Sequence, residues 1–156
     1  IVQNISGGIE DARELPSETH QEAAQLAVCW SRAWGSGNAS ATVFHARPSQ
    51  VSKTTESGES LGRGSFVVRG KRNWYKDIRL ELGMGIGVIN GVPLPIVGTA
   101  ETISKIFPRW AKIIPSKEKK ETIANKIAKM TGLSQDDVLS CLPPGGCSIQ
   151  NHGLIP

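Results

Sequence analysis

The sequence predicts an α/β chain of the α+β kind, in which a mixed, mostly antiparallel sheet is flanked by helices. Three observations carry that prediction. Ile78, Leu80, Leu82, Met84, Ile86 and Val88 alternate along one face, which is the two-residue period of a strand. Asn90-Gly91 follows at once, a strong signal for a two-residue hairpin turn. Ala23, Leu26, Ala27, Trp30, Ala33 and Trp34 recur at the spacing of one helical face.

In chain order, Ile1–Ile5 reads as a short strand ended by Gly7-Gly8, and Glu10–Pro16 as polar linker. Thr19-His20-Gln21-Glu22 has the Thr-x-x-Glu form of a capping box and predicts the start of the first helix. Gly35 and Gly37 end it, and its alanine-rich face allows close approach to a sheet. Ala41–Ala46 reads as a strand broken by Arg47-Pro48. A Gly/Ser/Thr-rich loop follows, then a strand over Ser65–Arg69 and a turn at Gly70. Ile78–Ile89 is the clearest strand, and its second face carries Arg79, Glu81, Gly83, Gly85 and Gly87. A stripe of glycines calls for something close to that backbone, with a packed helix favoured over a ligand.

The return strand Val92–Val97 contains Pro93 and Pro95, which donate no amide hydrogen, so it belongs at an edge. Thr99–Phe107 is a short helix stopped before Pro108, and Arg109–Ile114 a further strand. Ser116–Met130 reads as a helix with Ile123, Ile127 and Met130 inward and Gly132 closing it. Ser134–Asp137 opens a last helix through Leu142, halted by Pro143-Pro144. Asn151–Pro156 reads as a loose end. One domain over residues 1–150 follows, with a core to residue 114, a C-terminal helical extension over 115–150, and residues 151–156 as tail.

With 156 residues, 38% hydrophobic and 21% charged, the chain is long enough to bury a core and too mixed in composition for disorder. No apolar run reaches the roughly 18 residues of a membrane helix. The opening IVQNISGG has neither the basic nor the apolar region of a signal peptide, and no methionine, which suggests a fragment, a processed chain or a trimmed one. Cys29 falls in the helical apolar pattern and reads as a core residue. Cys141 and Cys147 lack CxxC pairing and a histidine at finger spacing, so a metal site is not expected and a reducing cytoplasm is the simpler setting.

Net charge is only +4, and it points to a polyanion because the charge is clustered. The cluster is Gln50–Arg72, QVSKTTESGESLGRGSFVVRGKR, which gathers Lys53, Arg63, Arg69, Lys71 and Arg72, partly offset by Glu56 and Glu59. Hydroxyls, glycine amides and cations in one loop make an anion-binding surface. Gly58, Gly62 and Gly64 form neither GxGxxG nor a Walker loop. No nucleophile–base pair stands out, and His20 and His45 read as structural. The chemistry expected is the holding of a phosphate backbone, with no catalytic residue, cofactor or metal.

The helix AQLAVCWSRAW, followed by QVSKT, SGESLGRGSF and VVRGKRNW, resembles the NFACT-R domain of the Rqc2/NEMF/RqcH family, some of whose bacterial members are labelled fibronectin-binding proteins. The likeness is close over Ile1–Ile89, and KIIPSKEKK and LPPGG beyond it look like the archaeal branch. It implies RNA binding in ribosome-associated quality control. Family members bind large ribosomal subunits that carry a stalled nascent chain on tRNA, and support an alanine-type C-terminal tail. The matching loop and turn positions are Gln50, Ser52, Lys53 and Thr54, then Gly58, Gly64 and Ser65, then Arg69, Gly70, Lys71 and Arg72. An upstream strand pair of the family, its N-terminal module and its coiled-coil arms would lie outside this chain. A sheet edge left unpaired in this way would let two copies pair.

The nucleic-acid-binding residues expected are therefore Gln50, Ser52, Lys53, Thr54, Arg63, Ser65, Arg69, Lys71, Arg72 and Trp74. Trp74 and Tyr75 follow the basic turn and read either as stacking partners for an unpaired base or as packing residues. Lys117–Lys120, in the first turn of a helix, read as a solvated face. The partners implied are ribosomal RNA or tRNA and the large subunit, in the cytoplasm. The alternatives are a protein-interaction domain that uses the glycine-striped sheet on the ribosome without touching RNA and, further off, a nuclease.

Overall fold

The alternation from Ile78 to Val88 is divided between two strands that belong to different sheets. The structure is a computed structural model and describes residues 15–54 and 62–155, so the expected strand Ile1–Ile5 and the acids Glu56 and Glu59 lie outside the described residues. β1 (Ser40–His45) pairs with β4 (Asn73–Arg79), and β2 (Val51–Ser52) with β3 (Val67–Val68). β5 (Leu82–Ile89), β6 (Val92–Gly98), β7 (Trp110–Pro115) and β8 (Cys147–His152) form a four-stranded sheet in the order β6-β5-β7-β8. Every named pair is antiparallel, so the α+β class holds while the expected single mixed sheet becomes three antiparallel ones.

The break between β4 and β5 has a local cause. Gln25, on α1 (Ser17–Cys29), donates from Nε2 to the carbonyl of Glu81 at 2.7 Å, and so engages that backbone oxygen from outside the sheets. The chain bends there without losing phase, and Leu80, Leu82 and Met84 all stay buried. Upstream, β1 takes two steps from Ala41 to Val43 while β4 takes three from Ile78 to Tyr75, a β-bulge in which Asp77 adopts φ 55°. The extra residue brings Tyr75 and Ile78 to the same side of the ribbon, the side on which α1 lies.

The glycine stripe is occupied by a helix. α2 (Ala100–Ile106), capped by the Thr99 hydroxyl accepting from the Thr102 amide at 3.2 Å, lies directly against β5. A Cβ on Gly83 would sit 2.7 Å from Ile103 Cβ and 3.1 Å from Ala100 Cα, and one on Gly85 would collide with the Phe107 ring. The packed helix that the sequence reading favoured is therefore what covers Gly83 and Gly85. The opposite face of the sheet meets the main core, where Leu82, Met84, Ala111 and Ile113 join Ile123 and Ile127 of α3 (Lys120–Thr131) and Val138 of α4 (Gln135–Cys141). Asn90 and Gly91, at φ 52° and 78°, make the hairpin turn, and proline-bearing β6 is an edge strand as read.

Several helix details differ from the sequence reading. The Thr19–Glu22 capping box does not form. α1 starts after Pro16, and the Glu22 carboxylate instead accepts a hydrogen bond from the Thr102 hydroxyl of α2. The buried face of α1 is Ala24, Val28 and Cys29, with Ala27 and Trp30 exposed. The helix stops early because the Ser31 hydroxyl donates to the Val28 carbonyl at 2.7 Å and accepts from the Ala33 amide at 3.1 Å. A 3-10 turn over Arg32–Gly35 then swings Trp34 into the core, where its ring N–H donates to the Gly146 carbonyl at 3.0 Å. α3 begins at Lys120, so Lys117 and Lys119 precede it. Met130, in its last turn, is 48% exposed because the chain reverses at Gly132 and Leu133 takes the buried place.

Residues 151–155, read as part of a loose end, are held in place. Asn151, in β8, donates to the Ile155 carbonyl at 2.6 Å and accepts from the Ile155 amide at 3.0 Å. Arg109 donates to the Gly153 carbonyl at 2.6 Å, and Leu154 is 1% exposed. The extension after residue 114 is therefore not purely helical, since it also supplies the edge strand β8.

Tight packing at Gly83 makes a direct prediction. Gly83→Ala forces α2 outward and should lower stability by about 1–3 kcal/mol, read as a lower denaturation midpoint in urea with little change in slope.

Candidate nucleic-acid interface

The basic segment is held in shape by one side chain. Gln50 ends a short 3-10 turn that starts at Pro48, and its Nε2 donates to the carbonyls of both Arg69 and Lys71, each at 2.8 Å. Its Oε1 accepts from the Arg47 amide at 3.0 Å, and its own carbonyl accepts from the Arg69 amide at 2.9 Å. Gly70, at φ 81°, lies so close that a Cβ there would come within 3.0 Å of Gln50 Nε2. The turn joining β3 to β4 is thus drawn onto the start of β2. Ser52 acts locally as well, its hydroxyl accepting from the Thr54 amide at 2.8 Å. Gln50 and Ser52 shape the loop that carries the cations.

The cations themselves face solvent. Lys53, Arg63, Arg69, Lys71 and Arg72 are all exposed, as are Thr54, Ser65 and Trp74. Ser65 closes a turn onto the Gly62 carbonyl at 3.0 Å, with Gly64 at φ 83°. Two cations have aromatic partners. Lys53 Nζ lies 5.5 Å from the centre of the Phe66 ring, and the Arg72 guanidinium lies 4.9 Å from that of Phe44 while donating to the Val68 carbonyl at 3.1 Å. Arg72 therefore ties the β1–β4 ribbon to the β2–β3 ribbon. Neither Phe44 nor Phe66 was singled out from sequence. The alternation in ATVFHA already sets Phe44 on the opposite face from Val43 and His45.

Trp74 and Tyr75 point to opposite faces of β4, as strand geometry requires. Trp74 is 53% exposed and sits across from Phe44, the two rings 5.0 Å apart and tilted by 59°. Tyr75 is half-buried on the α1 side, its hydroxyl 3.1 Å from His45 Nδ1. Asn73 Nδ2 donates to His45 Nε2 at 3.1 Å, which places the imidazole proton on Nδ1, directed at the Tyr75 oxygen. His20, from α1, stacks on His45 at 5.0 Å and 10°. Burial, then the charges of His20 and Arg47, hold His45 below its ordinary pKa. The two histidines fasten α1 to the ribbon, in keeping with a structural reading.

The thiols are chemically quiet. All three are free; burial pushes Cys29 up to about 12 and Cys147 up to about 11, and raises Cys141. Among the described residues no group of His, Cys, Asp or Glu is arranged to hold a metal ion, and no helix is long and apolar enough to cross a membrane.

With this geometry in place, comparison with known proteins gives a consistent result. The family described as NFACT protein RNA binding domain matches residues 2–70. The chain is 39% identical over 140 residues to the archaeal Rqc2 homolog aRqcH of Methanocaldococcus jannaschii, an alignment covering 88% of this chain and 21% of that protein. It is 39% identical over 85 residues to the human ribosome quality control complex subunit NEMF, covering 53% of this chain and 7% of that one. It is 38% identical over 72 residues to ribosome quality control complex subunit 2 of Schizosaccharomyces pombe, covering 46% of this chain and 7% of that one. The chain thus spans about a fifth of the length of the archaeal relative and less of the eukaryotic ones. No solved structure matches.

Two tests follow from the geometry. Gln50→Glu replaces a donor to two carbonyls by a carboxylate, so hydrogen exchange at the Arg69 amide should quicken by about tenfold or more. Folding favours neutral His45, so its contribution is complete above the ordinary value of 6.5 and is lost as pH falls through the lowered folded value. The melting temperature should therefore fall as the pH drops below 6.5, with a shallower fall in His45→Gln.

Proposed function

We propose that this chain, which belongs to the NFACT RNA-binding domain family through residues 2–70, is the RNA-holding module of a ribosome quality-control factor. The observation that carries the reading is the set of exposed cations Lys53, Arg63, Arg69, Lys71 and Arg72, the last three at one turn braced by Gln50. Such groups neutralise phosphates and release counterions, which gives affinity with little sequence preference. Thr54 and Ser65 add hydroxyl donors at the rim, and Trp74 adds an aromatic surface beside them. Gln50 and Ser52 act by positioning. No cofactor enters this reading, and it assigns the domain binding rather than catalysis.

The names of the relatives support the setting, because the eukaryotic ones are subunits of the ribosome quality control complex. In that setting the RNA is ribosomal RNA of the large subunit or the tRNA that holds a stalled chain. The domain would then help to keep that tRNA in place while an alanine-type tail is added, in the cytoplasm.

The test is RNA binding as a function of salt. Lys53→Ala combined with Lys71→Ala should weaken binding uniformly across sequences and make the slope of log K against log salt shallower by about 1.4–1.8. Binding unchanged in the double variant would remove the proposal. Large-subunit binding that persists while free RNA binding is lost would favour a protein contact on the ribosome instead.

A further inference from the structure

We propose that the outer face of the β1–β4 ribbon is a stacking platform for unpaired nucleobases, so that the RNA held here is single-stranded or looped rather than continuous duplex. The inference rests on the RNA-binding reading above and names the substrate class of that same surface.

Three observations converge on it. Trp74 is 53% exposed and Phe66 is 55% exposed, although burying an aromatic ring removes a large apolar surface from water. The fold does not use that gain at Trp74, while the neighbouring Tyr75 is turned inward to His45. Second, Trp74 is braced. Phe44 lies directly across the ribbon with its ring 5.0 Å away, and the Arg72 guanidinium lies 4.9 Å from the Phe44 ring centre, so three planar groups share one face. Third, Phe66 carries a cation of its own, Lys53 at 5.5 Å. Phe66 therefore has a cation over its ring, and Trp74 has one over the ring that braces it. Arg72, anchored on the Val68 carbonyl, links the ribbon that bears Trp74 to the strand that follows Phe66.

Flat rings beside cations match the two parts of a nucleotide, base face and phosphate. In a duplex the base faces are covered by their neighbours, and the A-form major groove is too narrow for side chains to enter. A half-exposed indole can therefore gain stacking energy only from a base whose face is free. The platform is also sequence-tolerant, because every base has a π-face.

The experiment compares one RNA strand of about a dozen nucleotides, free and annealed to its complement, by fluorescence anisotropy on the whole chain. Wild type should bind the free strand about tenfold more tightly, and Trp74→Ala should abolish that preference by weakening the free strand alone. The salt slope should not change in Trp74→Ala, since no cation is removed. Trp74→Phe should retain most of the preference, which separates stacking from a folding defect, and Phe66→Ala should lower it in part. Equal affinity of wild type for strand and duplex, or a Trp74→Ala protein with wild-type preference, overturns the platform and leaves salt-dependent RNA binding intact. Failure of wild type to bind either form overturns both readings.

Discussion

The carbonyl of Glu81 is the joint on which the rest of the structure depends. It lies between β4 and β5, so it separates the ribbon that bears the basic turn from the four-stranded sheet that bears the core. Gln25 reaches it from α1 at 2.7 Å and the Cys29 thiol lies 3.8 Å away, so one helix holds the bend from outside both sheets. The side chain of the same residue pairs with Lys112 of β7 at 3.2 Å, with both side chains about three-quarters covered. A partly buried pair of this kind is screened less than a surface one. The bend, the helix and the sheet are therefore fixed relative to one another at one residue.

From that joint the interface follows by short steps. α1 lies across the inner side of the β1–β4 ribbon, where His20 stacks on His45 and Tyr75 turns inward. Filling the inner side in this way leaves Phe44, Trp74 and Arg72 on the outer side. Gln50 then draws the turn before β4 onto β2, which places the cations of that turn beside the same outer side. The polar atoms of Gln50 that shape the loop are satisfied by neighbouring backbone, while Arg72 also joins the two ribbons through Val68 and Phe44.

Much of this was legible in the sequence, and the exceptions have physical causes. The Asn90-Gly91 hairpin, the glycine stripe with its covering helix, the edge position of β6 and the Gly132 cap each depend on local rules that tertiary structure reinforced. The single strand read over Ile78–Ile89 failed because period-2 alternation survives a bend, so the pattern alone does not reveal Leu80-Glu81 as a break. The capping box failed because Glu22 found a better partner on α2, a residue eighty positions away. β8 was missed because CSIQNH buries only Cys147 fully and carries no alternating apolar pattern. At the interface, the cations and Trp74 were visible as composition. The roles of Phe44, Phe66 and Gln50 were not, because each depends on which strand lies opposite.

The division of labour at this surface also explains why the modest net charge of +4 is compatible with a polyanionic ligand. Long-range attraction scales with local field rather than total charge, and exposed cations gathered on one segment raise that field beyond what the net charge suggests. Charge alone, however, would favour any nucleic acid of similar phosphate density, duplex included. The exposed rings supply a different kind of energy, short-ranged and insensitive to salt, which is available only where a base face is open. An interface that combines the two gains encounter rate from the lysines and arginines and discrimination from the aromatics. The bulge at Asp77 returns Ile78 to the inner side after Tyr75, so that the ribbon keeps an apolar inner face against α1 while Trp74 remains outside.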